Sequence, residues 1–346
     1  VELEVLRIDG PDIGCRVVAG GPVGDHKGIN LPGVDVSAPS LTAKDREDAA
    51  FALAEDVDFI ALSFVRSAAD IQQLVDVVAT AEHPPMLIAK IEKPEALDNN
   101  AEILALADGI MVARGDLGVE LSPEQVPIAQ HQLINLAIEA NKPVIVATQM
   151  LESMIENARP TRAEVTDVST AVASGTDAVM LSGETAVGRH PVRAVAMMDR
   201  VARQTESYHW HLEAPARHEQ TRRRRGTVAF GKAIANAAAS LVADMGARAV
   251  LVISNQGMSA ATISAARPEA PVIAISRSAR TCRRMNLMWG VVPHLDRAVG
   301  KENPTAVARR VARELGVAAP GDRVVLVRGF HAETEMNTPS VTLLTV

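Results

Sequence analysis

At 346 residues with 47% hydrophobic side chains, the chain is long enough for one large domain or two and can bury a sizeable core. Aromatic residues make up only 2%, so the core must be built from Val, Leu, Ile, Ala and Met, with no stacking platform for single-stranded nucleic acid; the net charge of −7 also argues against a nucleic-acid surface. No apolar run reaches the roughly 18 residues of a membrane span, no secretory signal is visible, and the widely separated Cys15 and Cys282 read as free thiols in a reducing compartment, so a cytoplasmic protein is expected.

Residues 1–34 read as short strands, over 3–8 and 15–19, between turns such as Gly10-Pro11 and Gly20-Gly21-Pro22. This is too little material for an independent core, and it looks like the tail of a β-rich unit. From Thr42 the pattern changes. Thr42 with Asp45 three residues on is an N-cap signal for a helix over 43–55. A buried strand is predicted over 59–64, a helix over 68–80, a strand over 86–91, a helix over 94–106 and a strand over 109–113. Ser122-Pro123 reads as an N-cap followed by proline at the first helical position, with Gln125 at the third, and predicts a helix to about Ala140. A strand over 144–148, a helix over 161–173, a strand over 178–181 and a helix from about Pro191 to Thr205 follow. Residues 206–225 are polar and His/Arg-rich and read as a linker, with Arg222–Arg225 as solvated charge. A second α/β unit begins at Gly226. It has helices over 232–245 and 303–315, strands over 249–254, 272–276, 324–328 and 341–346, and a helix between the first two strands. Its last strand reads as an antiparallel edge.

Continuous apolar strands alternating with helices mean a parallel sheet. Every strand of the first α/β unit ends in functional groups: Ser63 and Arg66, Lys90 and Glu92, Asp116, Thr148 and Gln149, Ser182 and Glu184. A doubly wound sheet gathers its active residues at one switch point, so contributions from every strand end fit a barrel better. Lys90 and Glu92 lie two apart on a strand and so point to the same side. Glu92 and Asp116 deliver two hard oxygens from successive strands, which suits Mg²⁺ completed by substrate oxygens and water. A lysine beside such a pair points to an anionic substrate.

Six stretches carry a resemblance. They are Lys27–Gly33 (KGINLPG), Ile88–Glu92 (IAKIE), Met111–Gly118 (MVARGDLG), Ala147–Met154 (ATQMLESM), Pro160–Glu164 (PTRAE) and Met180–Ala186 (MLSGETA). In order and spacing they resemble the pyruvate kinase family, specifically up to Thr205 and more loosely after Gly226. The resemblance implies a TIM (β/α)8 barrel, incomplete as given, with a remnant of a β-rich lid domain and a C-terminal open α/β domain. The implied divisions are 1–34 for the lid tail, 35–205 for the barrel part with the active site, 206–225 for the linker and 226–346 for a regulatory or assembly domain. The implied reaction transfers the phosphoryl group of phosphoenolpyruvate to ADP, giving pyruvate and ATP. Glu92 and Asp116 would bind Mg²⁺ or Mn²⁺, and Lys90 would neutralise the phosphoryl group in flight. Gly115 and Asp116 would offer backbone N–H groups to the substrate carboxylate. Thr148 would hydrogen-bond the substrate near the face where the enolate is protonated, Ser182 and Glu184 would order the water that supplies the proton, and Lys27 would reach the nucleotide phosphates. A homotetramer is the family's usual assembly, and K⁺ a further cofactor.

Two departures qualify this picture. Family members carry further residues before the part matched by Val1: the first three βα units of the barrel, most of the lid, a phosphate-binding arginine and the K⁺ ligands. Five strands cannot close a barrel, so the chain reads as a fragment, an incomplete copy or half of a split protein, inactive by itself. In the second unit, the turn Ser254-Asn255-Gln256-Gly257-Met258-Ser259 stands where the family often holds a sugar phosphate. Here a plain helix cap and an effector site remain equally open, with Arg267, Arg277 and Arg283 as candidate cations. The rival functions are another barrel enzyme acting on phosphoenolpyruvate or pyruvate, and a catalytically silent binding protein. The first lacks a lysine two residues before its metal-binding Glu. The second sits poorly with an intact Lys90, Glu92, Asp116 and Thr148.

Overall fold

The computed structural model describes residues 1–25, 28–31, 33–34, 39–223, 229–331 and 334–346, with the backbone alone for 210–223 and 334. The chain divides into two units, Val1–Ser37 and Ala38–Val346.

The first unit is a hairpin of β1 (Glu2–Asp9) and β2 (Asp12–Ala19), antiparallel with Ile8 opposite Ile13 and Asp9 opposite Asp12. The two-residue turn suits its residues. Gly10 has φ 59°, which an L side chain resists, and Pro11 follows with its ring-fixed negative φ. Leu3, Val5, Leu6, Ile8 and Ile13 are all exposed, so the ribbon buries no core of its own.

The second unit opens with α1 (Ala43–Ala54), β3 (Phe59–Leu62), α2 (Ala68–Val78), β4 (Met86–Ile91), α3 (Pro94–Asp98), α4 (Asn100–Leu106), β5 (Gly109–Ala113), α5 (Arg114–Glu120), α6 (Val126–Glu139), β6 (Val144–Ala147), α7 (Arg162–Ala173), β7 (Ala178–Val179), α8 (Gly183–Ala186) and α9 (Pro191–Arg223). Reciprocal capping boxes start α1 at Thr42/Asp45 and α7 at Thr161/Glu164. The sheet order is β3-β4-β5-β6-β7, all parallel. An order identical to the chain order is an arc of a barrel; a doubly wound sheet reverses at its switch point. All of β5 is buried, and Ile71, Leu74, Ile91, Ile103, Leu117 and Leu133 pack between sheet and helices.

Three expectations change. The helix expected over 94–106 breaks at Asn99, whose side chain leaves the helix to donate to the Arg66 carbonyl at 2.9 Å. The helix expected to open at Ser122-Pro123 starts instead at Val126, with Pro127 rather than Pro123 in its first turn. Ser122–Gln125 forms a separate turn, closed by the Gln125 N–H on the Ser122 carbonyl at 2.9 Å. The helix expected to stop at Thr205 continues to Arg223, through residues read as linker. That stretch has no glycine and carries several Glu, Arg and Ala, all good helix formers, and the helix contains Pro215.

The rest is α10 (Phe230–Met245), β8 (Val250–Ile253), α11 (Met258–Ala265), β9 (Val272–Ser276), α12 (Ala279–Met285), β10 (Val291–Leu295), α13 (Pro304–Glu314), β11 (Arg323–Arg328) and β12 (Ser340–Thr345). The sheet order is β10-β9-β8-β11-β12, with β12 the antiparallel edge expected from the sequence. β10 was not foreseen. Pro293 argues against a central strand, and β10 is in fact an edge, where a missing N–H is tolerated. Among the described residues no helix is long and apolar enough to cross a membrane.

This second sheet domain grips the amino ends of the first. Arg267 pairs with Asp177 just before β7 at 2.9 Å, and Arg283 with Asp58 just before β3 at 2.6 Å. Arg284 donates to the Pro84 carbonyl just before β4 at 2.5 Å. The carboxyl ends of the same strands lie at the opposite edge of the sheet.

Candidate active site

At the carboxyl end of β4, Lys90 and Glu92 meet as their spacing requires: Lys90 Nζ lies 2.5 Å from Glu92 Oε1 and donates to Ser63 Oγ, beyond β3, at 2.8 Å. Glu92 is 1% exposed. Its Oε2 accepts the Phe64 N–H at 2.9 Å, whereas Oε1 faces the ammonium without an aligned hydrogen bond. Lys90 already sets one cation against this oxygen, which accepts no hydrogen bond among the described residues and so keeps lone-pair capacity for a second cation. Phe64 has φ 55°, a left-handed conformation that a bulky side chain resists, and this turns its N–H toward Glu92.

β5 runs directly into α5, with Asp116 in the first turn. Asp116 is half-buried, and its carboxylate has no hydrogen bond or ion pair among the described residues. β4 and β5 are adjacent, with Ile91 opposite Val112, so Glu92 and Asp116 come from neighbouring strand ends. Among the described residues no group of three or more His, Cys, Asp or Glu is placed to hold a metal. Two hard carboxylates, one with a buried oxygen short of a hydrogen bond and one uncommitted, fit a divalent cation that takes its other ligands from substrate and water.

Beyond β6, Thr148 and Gln149 both adopt positive φ, 69° and 56°. Thr148 Oγ1 donates to the Ala147 carbonyl at 2.6 Å and accepts the Gly115 N–H at 2.7 Å. The Gly115 N–H assigned from the resemblance to a substrate carboxylate is thus engaged by Thr148 as the structure stands. The turn is held from below by Arg114, only 9% exposed. Its guanidinium donates to the Thr148 carbonyl at 2.8 Å and pairs with Asp167 at 2.5 Å. No role for Arg114 was read from the sequence, although a charged residue closing the fully buried run 109–113 is itself a signal.

Glu184 is 2% exposed, and its two oxygens accept backbone N–H groups, from Leu151 at 3.0 Å and Ser182 at 2.8 Å. It laces the loop after β6 to the loop after β7. Ser182 is exposed. Glu164 clamps the same region, accepting from the Ser153 N–H and Oγ at 2.6 Å each and from the Thr161 N–H at 2.7 Å. Burial pushes its carboxyl up, but these hydrogen bonds outweigh burial and hold it below the usual carboxylate range. Lys27 lies outside the described residues.

In the second sheet domain, the turn at 254–259 directs its hydroxyls inward. Ser254 and Ser259 are buried, and Ser254 Oγ accepts the Gly257 N–H at 3.1 Å. Gly257 has φ 93° at the start of α11. Two of the three cations considered for this turn, Arg267 and Arg283, are spent on Asp177 and Asp58. Arg277 is exposed.

A barrel arc that sets a lysine against a buried carboxylate, with a second carboxylate just beyond the next strand, has the layout of a β/α-barrel enzyme. Residues 1–195 match the family model described as pyruvate kinase, barrel domain, and residues 232–342 the one described as pyruvate kinase, alpha/beta domain. The chain belongs to the pyruvate kinase family. A pyruvate kinase from Agrobacterium vitis is 39% identical over 100% of this chain and 70% of its own length. One from Mycobacterium tuberculosis is 42% identical over 98% of this chain and 70% of its own. Pyruvate kinase 2 of Synechocystis is 42% identical over 95% of this chain, which spans only 55% of that relative. The crystal structure of a pyruvate kinase from Cryptosporidium parvum superposes with a TM-score of 0.87 at 37% identity, covering 98% of this chain and 69% of that one.

Proposed function

We propose that the site at the carboxyl ends of β3–β7 transfers the phosphoryl group of phosphoenolpyruvate to ADP, and that Glu92 and Asp116 hold Mg²⁺ or Mn²⁺ there. The observation that carries this reading is Glu92 Oε1, buried, 2.5 Å from Lys90 Nζ and without an aligned hydrogen bond. The bound cation supplies a Lewis acid that draws charge from the phosphoryl oxygens. Everything else is positioning and charge neutralisation, which is what phosphoryl transfer demands. Lys90, fixed between Ser63 and Glu92, places its ammonium where negative charge spreads over the phosphoryl group in flight. Thr148 presents Oγ1 to the face at which the enolate carbon takes up a proton, and Ser182 Oγ orders the water that delivers it. Glu184 serves this step by positioning, because both its oxygens are committed to backbone N–H groups. Serving a substrate carboxylate requires the Gly115 N–H to exchange its bond to Thr148, a switch that closing on substrate would supply. Lys27 is assigned to the nucleotide phosphates on the resemblance alone. The domain from 226 to 346 is assigned to control and assembly, since among its described residues no strand end carries a lysine–carboxylate set.

The test is a coupled assay of pyruvate formation from phosphoenolpyruvate and ADP, on the protein that contains residues 1–346, with and without EDTA. Turnover that EDTA abolishes and Mg²⁺ restores is expected. Undiminished turnover in EDTA removes the metal assignment.

A further inference from the structure

Lys93 and Glu120 form an ion pair that the reaction chemistry does not use. Lys93 Nζ lies 2.5 Å from Glu120 Oε1, and the two side chains are only 17% and 5% exposed. Both positions are informative. Lys93 follows Glu92 directly and is the N-cap residue of α3, with extended backbone. Glu120 is the last residue of α5, four after Asp116. Residues four apart on a helix lie on one face, one above the other. The pair therefore joins the segment that carries one metal-binding carboxylate to the helix face that carries the other.

α5 needs such a tie. With seven residues it has too few internal hydrogen bonds to hold its own orientation. Its start is anchored by Arg114 and by the Gly115 N–H on Thr148. Those bonds fix where the helix begins, and the fully buried Leu117 turns one side of it into the core, which leaves the opposite side and the far end to other contacts. Lys93–Glu120 is the charged contact at the far end, and a largely buried one. A buried ion pair is seldom a better source of stability than apolar packing, and its best-attested use is to specify one arrangement over others. It also ties up the Glu120 carboxylate, so that Asp116 is the acid on this face left without a partner among the described residues.

We infer that Lys93 and Glu120 are positioning residues: with Leu117 seating α5 on the core, their ion pair holds its far end, and through it the direction in which Asp116 meets the cation held by Glu92. The inference rests on the metal reading of Glu92 and Asp116. Outer-shell partners that orient metal-binding side chains typically contribute 10- to 100-fold in metal affinity.

The experiment measures Mn²⁺ binding directly, by the loss of the free-ion EPR signal, without substrates, on the protein that contains residues 1–346. Its variants are Glu92→Gln, Lys93→Met, Glu120→Gln, the Lys93→Met/Glu120→Gln double and Lys93→Arg, each checked for native circular dichroism. Lys93→Met and Glu120→Gln are each expected to weaken Mn²⁺ about 10-fold. The double variant should be no weaker than either single, and Lys93→Arg should bind within about 3-fold of the parent, since a cation of similar reach restores the pair. Parent-like binding by both single variants overturns the inference. So does loss of binding in Glu120→Gln as complete as in Glu92→Gln, which makes Glu120 a ligand. Parent-like binding by Glu92→Gln removes the metal reading instead, and the inference with it. If Lys93→Met does not fold, the exchanged pair Lys93→Glu/Glu120→Lys replaces it. Recovery of Mn²⁺ affinity by the exchange, against its loss in Glu120→Lys alone, supports positioning, and no recovery refutes it.

Discussion

The two ends of the β3–β7 sheet use the same chemical groups in opposite ways. At the amino ends, aspartates are committed to structure. Asp108 accepts the Leu87 N–H at 2.8 Å, and Asp177 accepts the Val144 N–H at 3.0 Å on one oxygen while the other meets Arg267 and the Trp289 N–H. Trp289 also donates its indole N–H to Glu206 at 2.7 Å, and the Arg267 guanidinium lies over its ring. At the carboxyl ends, Glu92 keeps an oxygen out of alignment, Asp116 is uncommitted, and Phe64, Thr148 and Gln149 hold left-handed backbones that cost about 1–2 kcal/mol each. Aspartates and arginines at one edge knit two domains together. At the other, Glu184 and Glu164 brace the loops, while Asp116 has no hydrogen bond or ion pair among the described residues and the turns hold strained backbones. A carboxylate at a strand terminus is thus informative only once it is known which terminus and which partner.

The largest way to sharpen this contrast is Lys90→Met. It is expected to lower kcat by about 10²–10³ in the coupled assay, because it deletes the charge aimed at the transferring group. Mn²⁺ affinity should stay close to that of the parent, whereas the metal-free protein should lose stability, because Glu92 is left buried without its cation; undiminished turnover would remove Lys90 from the reaction. At the other edge, Asp177→Asn should do the reverse. It leaves Arg267 buried with its charge uncompensated, at a cost of about 3 kcal/mol. Urea denaturation measures this, and KM for phosphoenolpyruvate should scarcely move. Acid should weaken the clamps around the site as well. Glu164 and Asp70 are both held below the usual carboxylate range: burial opposes this, and their hydrogen bonds prevail. A depressed folded-state pKa gives stability that is complete above the unfolded value and lost as pH falls through the folded one. Denaturation midpoints are therefore expected to be flat in these groups from pH 7 to about 5 and to fall below about pH 4, and Glu164→Gln should flatten that acid limb. The smallest effect belongs to Gln149, exposed and at φ 56°. Gln149→Gly is expected to raise stability by about 1 kcal/mol by relieving the left-handed strain. A drop in stability would mean that the Gln149 side chain holds the turn.

Much of the architecture was legible in the chain. The caps at Thr42 and Thr161, the apolar runs of β4 and β5, and the charge closing each strand led to a barrel-type sheet with Lys90, Glu92, Asp116 and Thr148 along one edge. What was missed has common causes. β10 was hidden by Pro293, because whether a proline is tolerated depends on the strand being an edge. The break at Asn99 and the delayed start of α6 arise from hydrogen bonds to Arg66 and within 122–125 that periodicity does not register. Arg267 and Arg283 suggested anion binding by their nearness in sequence to the turn at 254–259, yet each is claimed by an aspartate of the other sheet.

The sequence by itself determined the kind and order of the elements and the groups that stand at the strand ends. These follow from backbone sterics, apolar periodicity and capping, which act over a few residues. Only the tertiary structure decided which of those groups are spent and which are free. Glu92 takes its N–H donor from a residue 28 positions away and Asp177 from one 112 positions away. Glu184 braces two loops through two backbone N–H groups, one of them 33 positions away. The availability of a charge is set by the partners that folding brings to it, and no local pattern contains them.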